Sequence, residues 1–491
     1  MYWKRIIQGL VLFLIFWILL PSLIVSIGVL INPGGFPETL KLFGKLIGLF
    51  GFAFGMISAS YLILDGGGGP MFCCPPKKLV RCGTYSMCRH PIYLGFILYI
   101  VGLSLAFGSR GSLITSVVFS ILVVMYAFLE EKKLVERFPD YKNYKKEVPA
   151  FIPRKPTRDE TCPPLLFMLL FYVGHVISWF TWRIEVEKRC EVPEGGYVIL
   201  ANHVTYLDFA VVVYAISRFV NFPVSHFHYV RHEWLYKNVG CFPIKRHVPD
   251  VKAIRKIMEI VKKGGRVGIF PEAERSWDGR FLGFKRGFEK LLEKLPKPII
   301  GLRIEKAHLR FPRWGKIFYP GRVKVIVDCF DDPKSVERFL SKPSVSENDV
   351  YNSYRGVEKY VYMCPKCGGF GTIKSFKKGL ECSKCGFKMV KPTVGDLWRI
   401  HDDIVKMLKL PYEEKGVLVD LKTGRFGDEV LVRMTEDRIE YDGKTIKRED
   451  VVSFIVEGRT EIFIYDGEDI HGFKFESALL WNDLLKRFWK L

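Results

Sequence analysis

The chain has 491 residues, 49% of them hydrophobic, and its formal net charge is +22 with a pI near 9.4. That length exceeds what one core needs and calls for about three or four domains. Twelve cysteines without an exported soluble domain exclude a disulfide scaffold and point to reduced thiols or metal.

Apolar runs dominate the first third. Ile6 to Ile31, Leu46 to Leu64, Ile92 to Phe107 and Leu113 to Leu129 are near the length that crosses a hydrocarbon core, so four spans are expected. Lys4 and Arg5, then Lys77, Lys78, Arg81 and Arg89, then Lys132 to Lys146 alternate with poorer loops, which places the N-terminus in the cytoplasm. Beside such spans the net positive charge indicates an anionic lipid surface rather than nucleic acid.

Between the second and third runs lie the loop Asp65 to Pro70 and the segment Arg89-His90-Pro91-Ile92-Tyr93-Leu94-Gly95; the fourth run ends in Glu130-Glu131. Read from the residues alone these are a flexible loop, a basic flank and interfacial carboxylates. The spacing, continued by Phe138-Pro139-Asp140-Tyr141, resembles the isoprenylcysteine carboxyl methyltransferase and phospholipid methyltransferase superfamily over Lys41 to Pro153. That resemblance implies S-adenosylmethionine held by Arg89, His90, Tyr93, Gly95, Glu130 and Glu131. Cys73, Cys74, Cys82 and Cys88 share the stretch at spacings that fit no closed metal site.

Pro153 to Pro164, with Arg158, Asp159 and Glu160, reads as a charged linker. The apolar stretch Leu165 to Trp182 carries His175, Trp179 and Trp182, the aromatic pattern of a membrane interface, and is expected to dip rather than span.

Gly196 to Ala201 reads as a buried strand with Asn202-His203 at its exit, and Asp208 as an early residue of the apolar helix Phe209 to Ile216. His203 is the one histidine of ten with an aspartate five positions on. On one helix the two would sit about 140° apart, so they cooperate only across a loop-to-helix junction. A carboxylate that holds an imidazole in one tautomer makes it a general base. Arg266 to Phe270 repeats the strand, and the loop after Pro271 carries Glu272, Arg275 and Ser276, with Arg246, Lys285 and Arg286 as further cations.

The order of these blocks, with Gly240 to Arg246 and Lys297 to Gly301, resembles the glycerolipid acyltransferases, whose type activity is 1-acylglycerol-3-phosphate acylation, over Phe167 to Phe330. The resemblance implies that His203 deprotonates the acceptor hydroxyl, that Asp208 orients it, and that the alkoxide attacks the thioester of acyl-coenzyme A or acyl carrier protein. Asn202, Arg246, Glu272, Arg275, Ser276 and Lys285 are the implied substrate residues, Glu272 by positioning an arginine. Ala273 stands where the family has glycine and Glu274 where it has a small residue, so the acceptor need not be lysophosphatidate.

Cys364-x₂-Cys367 and Cys382-x₂-Cys385, each followed by glycine, form a zinc-ribbon signature for structural zinc, read as a solvated knuckle between domains. From Val417 onward short alternating strands, then an amphipathic helix with Leu479 to Phe488, look like a pleckstrin-homology-like barrel that docks membrane or protein.

The expected architecture is multidomain: a transmembrane methyltransferase-like helical bundle (1–153), a linker (154–164), a membrane-anchored α/β acyltransferase domain (165–361), a zinc ribbon (362–392), a helical connector (393–416) and a β-rich domain (417–491). The soluble parts are expected on the cytoplasmic side. Alternatives are an inactive methyltransferase-like anchor and a membrane-tethered zinc-ribbon scaffold.

Overall fold

The computed structural model describes residues 11, 13–68, 75–107, 109–156, 159, 161–246, 248, 250–285, 288–295, 297–420 and 425–490. Lys4, Arg5, Gly69, Pro70, Cys73, Cys74, Arg158, Glu160 and Arg286 lie outside the described residues, as does the Trp179 side chain. Two compact units form, one of residues 1–168 with 217–219 and one of 169–216 with 220–491.

The first unit is helical, with α1 (Leu20–Ile31), α2 (Glu38–Leu64), α3 (Pro91–Phe107) and α4 (Arg110–Arg137) as its long elements. At about 1.5 Å per residue, the 27 residues of α2 and 28 of α4 exceed a hydrocarbon core of about 30 Å. These two are long and apolar enough to cross a membrane. The other two expected spans are the shorter helical stretches Ile15–Ile31 and Pro91–Phe107.

Glycines set the packing of α2 on α3. A Cβ on Gly102 would meet the Gly48 nitrogen at 2.2 Å, and one on Gly95 would meet the Gly55 nitrogen at 2.6 Å. Rows of small residues let two helix backbones approach closely where lipid supplies no hydrophobic drive. Gly95, expected at a cofactor, is buried in this crossing and serves close packing instead.

Helix α5 (Leu165–Phe180), which belongs to the second unit from Leu169 on, has 16 residues, about 24 Å, short of a full hydrocarbon core. Its His175 bonds the Phe171 carbonyl through Nδ1 at 2.9 Å and stacks on Tyr214. Strands β1 (Trp182–Lys188), β2 (Tyr197–Ala201), β5 (Arg266–Ile269), β6 (Ile299–Glu305) and β7 (Gly321–Phe330) form a sheet in the order β1-β7-β6-β2-β5; β3 (Phe222–Ser225) and β4 (Cys241–Ile244) pair separately. All contacts are parallel except β6 with β7. All five β2 residues are buried, as a continuous apolar run in a covered parallel sheet demands.

One thiol expectation fails here. Lys188 pairs with Val327 in the β1–β7 register, which brings the residues beyond into reach, and Cys190 and Cys329 form a disulfide with Cα atoms 5.9 Å apart.

Strands β8 (Ile373–Phe376), β9 (Gly379–Cys382) and β10 (Lys388–Val390) make a small antiparallel sheet around the four cysteines. Helix α6 (Val394–Met407) follows, opened by a capping box between Thr393 and Asp396. Then β11 (Tyr412–Val419), β12 (Phe426–Met434), β13 (Arg438–Tyr441), β14 (Lys444–Lys447), β15 (Ser453–Glu457), β16 (Glu461–Tyr465) and β17 (Ile470–Lys474) form an antiparallel sheet ordered β14-β13-β12-β11-β17-β16-β15. Helix α7 (Ala478–Leu484), buried along its length, closes it.

The strand region begins at Tyr412, before the expected Val417, and includes β14, whose one inward residue, Ile446, gives too little pattern to read. A single apolar cluster runs from Trp277, Leu309 and Trp314 through Cys364, Ile373, Leu380 and Cys382 to Trp481 and Trp489. The cysteine module is thus part of a core, where a solvated spacer was expected.

Candidate functional site

The exit of β2 is pinned before any chemistry is arranged. The Asn202 side chain donates to the Ile304 carbonyl at 3.0 Å and accepts from the Ile304 N–H at 2.7 Å, tying the exit of β2 to its neighbour β6. Asn202 therefore holds the strand exit rather than a substrate.

Asp208 is the first residue of the helix Asp208–Ile216 and fully buried. One of its oxygens lies 2.8 Å from His203 Nδ1 and accepts from the N–H groups of Val204 at 2.6 Å and Thr205 at 2.8 Å; the other accepts from the Thr205 hydroxyl at 2.7 Å. The loop between histidine and aspartate thus folds around the carboxylate, the junction that spacing alone required. Phe270 stacks on the His203 ring with centroids 4.2 Å apart. Burial holds the imidazole below its usual pKa, with Asp208 opposing and the nearby positive charges of Arg275 and Arg313 reinforcing that shift. A neutral ring whose Nδ1–H is given to Asp208 keeps the Nε2 lone pair for a substrate proton.

Glu272 does not position an arginine. Its carboxylate accepts the His203 N–H at 2.7 Å and the Leu282 N–H at 2.9 Å, joining the two strand-exit loops. Burial pushes its pKa up to about 8, against the lowering by those two donors. The next residue, Ala273, has φ of 52°, the left-handed conformation that glycine would take without strain.

Arg275 is buried over the Tyr206 ring, its guanidinium carbon 3.2 Å from the centroid, and burial lowers its pKa to about 10. Its Nη1 has no hydrogen-bond partner among the described residues. An orphaned guanidinium nitrogen beside the base is a site for an anion. Ser276 is spent on its own turn: its hydroxyl accepts from Gly279 N–H at 2.9 Å and bonds Asp278 at 3.2 Å. Lys285 is exposed.

Several residues of the site had no local signature. Arg313 pairs with Glu274 at 2.6 Å and donates to the Arg275 carbonyl at 2.5 Å. That pairing holds Glu274 below the usual carboxylate range in spite of its burial. Arg246 donates to the Ala273 carbonyl and to the carboxylate of Glu457, the last residue of β15. Chain separation hides this partner: the two are 211 positions apart in sequence.

In the first unit Glu131 lies 2.7 Å from Arg89 Nε, 3.1 Å from His90 Nε2 and 2.6 Å from Lys145 Nζ. Tyr93 donates to Glu130 at 2.8 Å. Five of the six residues expected at a cofactor are thereby brought together, Gly95 excepted.

The sulfur atoms of Cys364, Cys367, Cys382 and Cys385 lie within 4.8 Å of one another, with closest pairs at 3.7 and 3.8 Å. Zinc–sulfur bonds of about 2.3 Å in a tetrahedron put sulfurs about 3.8 Å apart, so the donor set fits such an ion.

Residues 183–305 match the family described as acyltransferase, and residues 40–141 the family described as phospholipid methyltransferase. The chain is 34% identical over 97 residues to 1-acyl-sn-glycerol-3-phosphate acyltransferase BAT2 of Brassica napus chloroplasts, covering 19% of this chain and 28% of that protein. It is 37% identical over 81 residues to the cobalt-zinc-cadmium resistance protein CzcN of Cupriavidus metallidurans, 16% of this chain and 37% of that protein. Each alignment spans less than half of the curated relative. A solved structure, the 1-acyl-sn-glycerophosphate acyltransferase PlsC of Thermotoga maritima, covers 45% of this chain and 91% of its own at 16% identity and a TM-score of 0.29. This chain joins an N-terminal phospholipid-methyltransferase-like domain to a domain of the acyltransferase family.

Proposed function

We propose that the protein is a membrane-bound acyltransferase that moves an acyl chain from a thioester carrier, acyl-coenzyme A or acyl carrier protein, to a hydroxyl of a glycerophosphate or lysophospholipid. The observation that carries this reading is the His203 ring, held at Nδ1 by a buried aspartate and backed by Phe270. Nε2 of His203 takes the acceptor's hydroxyl proton as its oxygen attacks the thioester carbonyl. The tetrahedral adduct then expels the carrier thiolate, which recovers the proton from the imidazolium. Arg275 holds the acceptor's anionic group close to the base, and Glu272 fixes the two loops that carry both.

The phospholipid-methyltransferase-like domain holds S-adenosylmethionine through Arg89, His90, Tyr93, Glu130 and Glu131. A guanidinium, an imidazole, a phenol and two carboxylates in one cluster match the carboxylate, amino and ribose groups of that cofactor. When bound, it supplies a methyl group to a nucleophile. Arg89 and His90 are ordered by Glu131, and Glu130 by Tyr93, before the cofactor arrives. The four cysteines hold a structural zinc, and the seven-stranded region is pleckstrin-homology-like. Domain limits are those set out above, except that the β-rich domain begins at Tyr412, with the soluble parts on the cytoplasmic face.

Membranes carrying wild-type or His203→Ala protein, incubated with labelled acyl-coenzyme A and a panel of lysolipids and glycerol phosphates, test the main reading. Product that disappears with the substitution supports it; product that persists overturns it. Binding of S-adenosylmethionine unchanged by Glu131→Gln would remove the second activity.

A further inference from the structure

We propose that Glu457, the last residue of β15, is a specificity residue of the acyltransferase site and turns it toward acceptors bearing a phosphodiester and away from those ending in a phosphomonoester. The inference rests on the acyl-transfer reading above and names the acceptor class within it.

Three donors from the acyltransferase domain converge on this one carboxylate. Arg246 Nη2 and the Ser225 hydroxyl donate to Oε1, and His228 Nε2 lies 2.8 Å from Oε2. Glu457 is 5% exposed. That constellation is what a bound phosphate oxygen would find, with a resident carboxylate in its place.

The carboxylate is not a passing visitor. Arg313 Nε donates to the Gly458 carbonyl at 2.9 Å, and Arg459 Nε donates back to the Arg313 carbonyl at 2.7 Å. Arg231 pairs with Glu461 at 3.0 Å, and Phe463 stacks on Phe227 with centroids 4.6 Å apart, inside a cluster with Val419 and Ile455. Strand pairing of β15 with β16 holds both sides of the turn.

The charge balance follows. Glu457 neutralises Arg246 and Glu274 neutralises Arg313 before any acceptor arrives. Arg459, half-buried and bonded to a backbone carbonyl, and Lys285, exposed, keep their charges, but solvent screens them more than it screens the buried Arg275. Arg275, with its unpartnered Nη1 and no ion pair among the described residues, is the buried cation left beside His203. One guanidinium matches the single charge of a phosphodiester. A phosphomonoester carries about −1.5 to −2 at neutral pH, and its excess charge would compete with the Glu457 and Glu274 carboxylates for guanidinium groups already paired.

The test compares kcat/KM of the full-length protein for 1-acylglycerol 3-phosphate and 1-acylglycerophosphoglycerol of the same chain length. Wild type should favour the phosphodiester by about tenfold or more, Glu457→Gln should shift the ratio toward the phosphomonoester by about tenfold, and Glu457→Asp should keep the wild-type preference. A ratio is independent of how much of a variant folds, so a purely structural role would leave it unmoved. A wild type that prefers the phosphomonoester, or a ratio unchanged by Glu457→Gln, overturns the proposal; the first of these decides it without any variant. Wild type that acylates neither acceptor, nor any other hydroxyl lipid, overturns the acyl-transfer reading and this inference with it.

Discussion

The His203 ring lies 17° from parallel with Phe270 while its Nδ1 faces Asp208 at 2.8 Å, so stacking fixes the plane and the carboxylate fixes the tautomer. An amide at position 208 has one acceptor oxygen where four donors now converge on two. Asp208→Asn should therefore lower kcat by about 10²–10⁴ and also lower the melting temperature. His203→Ala leaves three of those bonds in place and should lose a similar factor in rate with a much smaller thermal shift. Rates and melting curves on both variants check this; equal destabilisation would argue against the tautomer role.

The pH dependence of transfer should follow the imidazole. Its pKa is lowered by burial first and then by neighbouring cations, and a general base works when unprotonated, so kcat/KM should be maintained through neutrality and fall on the acid side below about pH 6.5. Arg275→Gln removes one of those cations and should move the acid limb to higher pH, besides raising the acceptor KM. A limb that stays still or moves down would show that this charge is not felt at His203.

Ala273 bears a left-handed backbone with a Cβ attached. Replacement by glycine should relieve a strain of about 1 kcal/mol, partly offset by the freer unfolded chain. A rise in denaturation midpoint is expected for Ala273→Gly, and a fall would mean that the methyl contributes packing that outweighs the strain.

The cysteine cluster should carry one zinc per chain. Replacing Cys364 and Cys367 with serine should abolish that metal by elemental analysis and unfold the second unit at lower denaturant, because Cys364 lies in the continuous core. Full stability without metal would remove the structural role.

The parts of this site that could be read from sequence were those confined to one loop. His203 and Asp208 sit five positions apart, and the fully apolar β2 announces a strand whose exit must carry them. Glu272 was legible as a site residue but its role was not, since its partners are two backbone N–H groups that no side-chain pattern encodes. Gly95 was drawn into the cofactor set by its motif, whereas its neighbours lie on another helix. Arg313, Tyr206 and Glu457 carry no motif, and their relation to Arg275 and Arg246 exists only after distant strands are stacked. The Cys190–Cys329 bond likewise depends on the β1–β7 register.

The unbroken apolar cluster from Trp277 to Trp489 bears on how such a chain could have evolved. A descendant shortened before Tyr412 would not be a simpler enzyme. Phe227 would meet water where it now stacks on Phe463, and it would need a polar replacement before the remnant stayed soluble. Gain or loss of the tail is therefore a concerted event, and lineages that share residues 183–305 but end differently must also have rewritten the flank of that segment on which the tail rests.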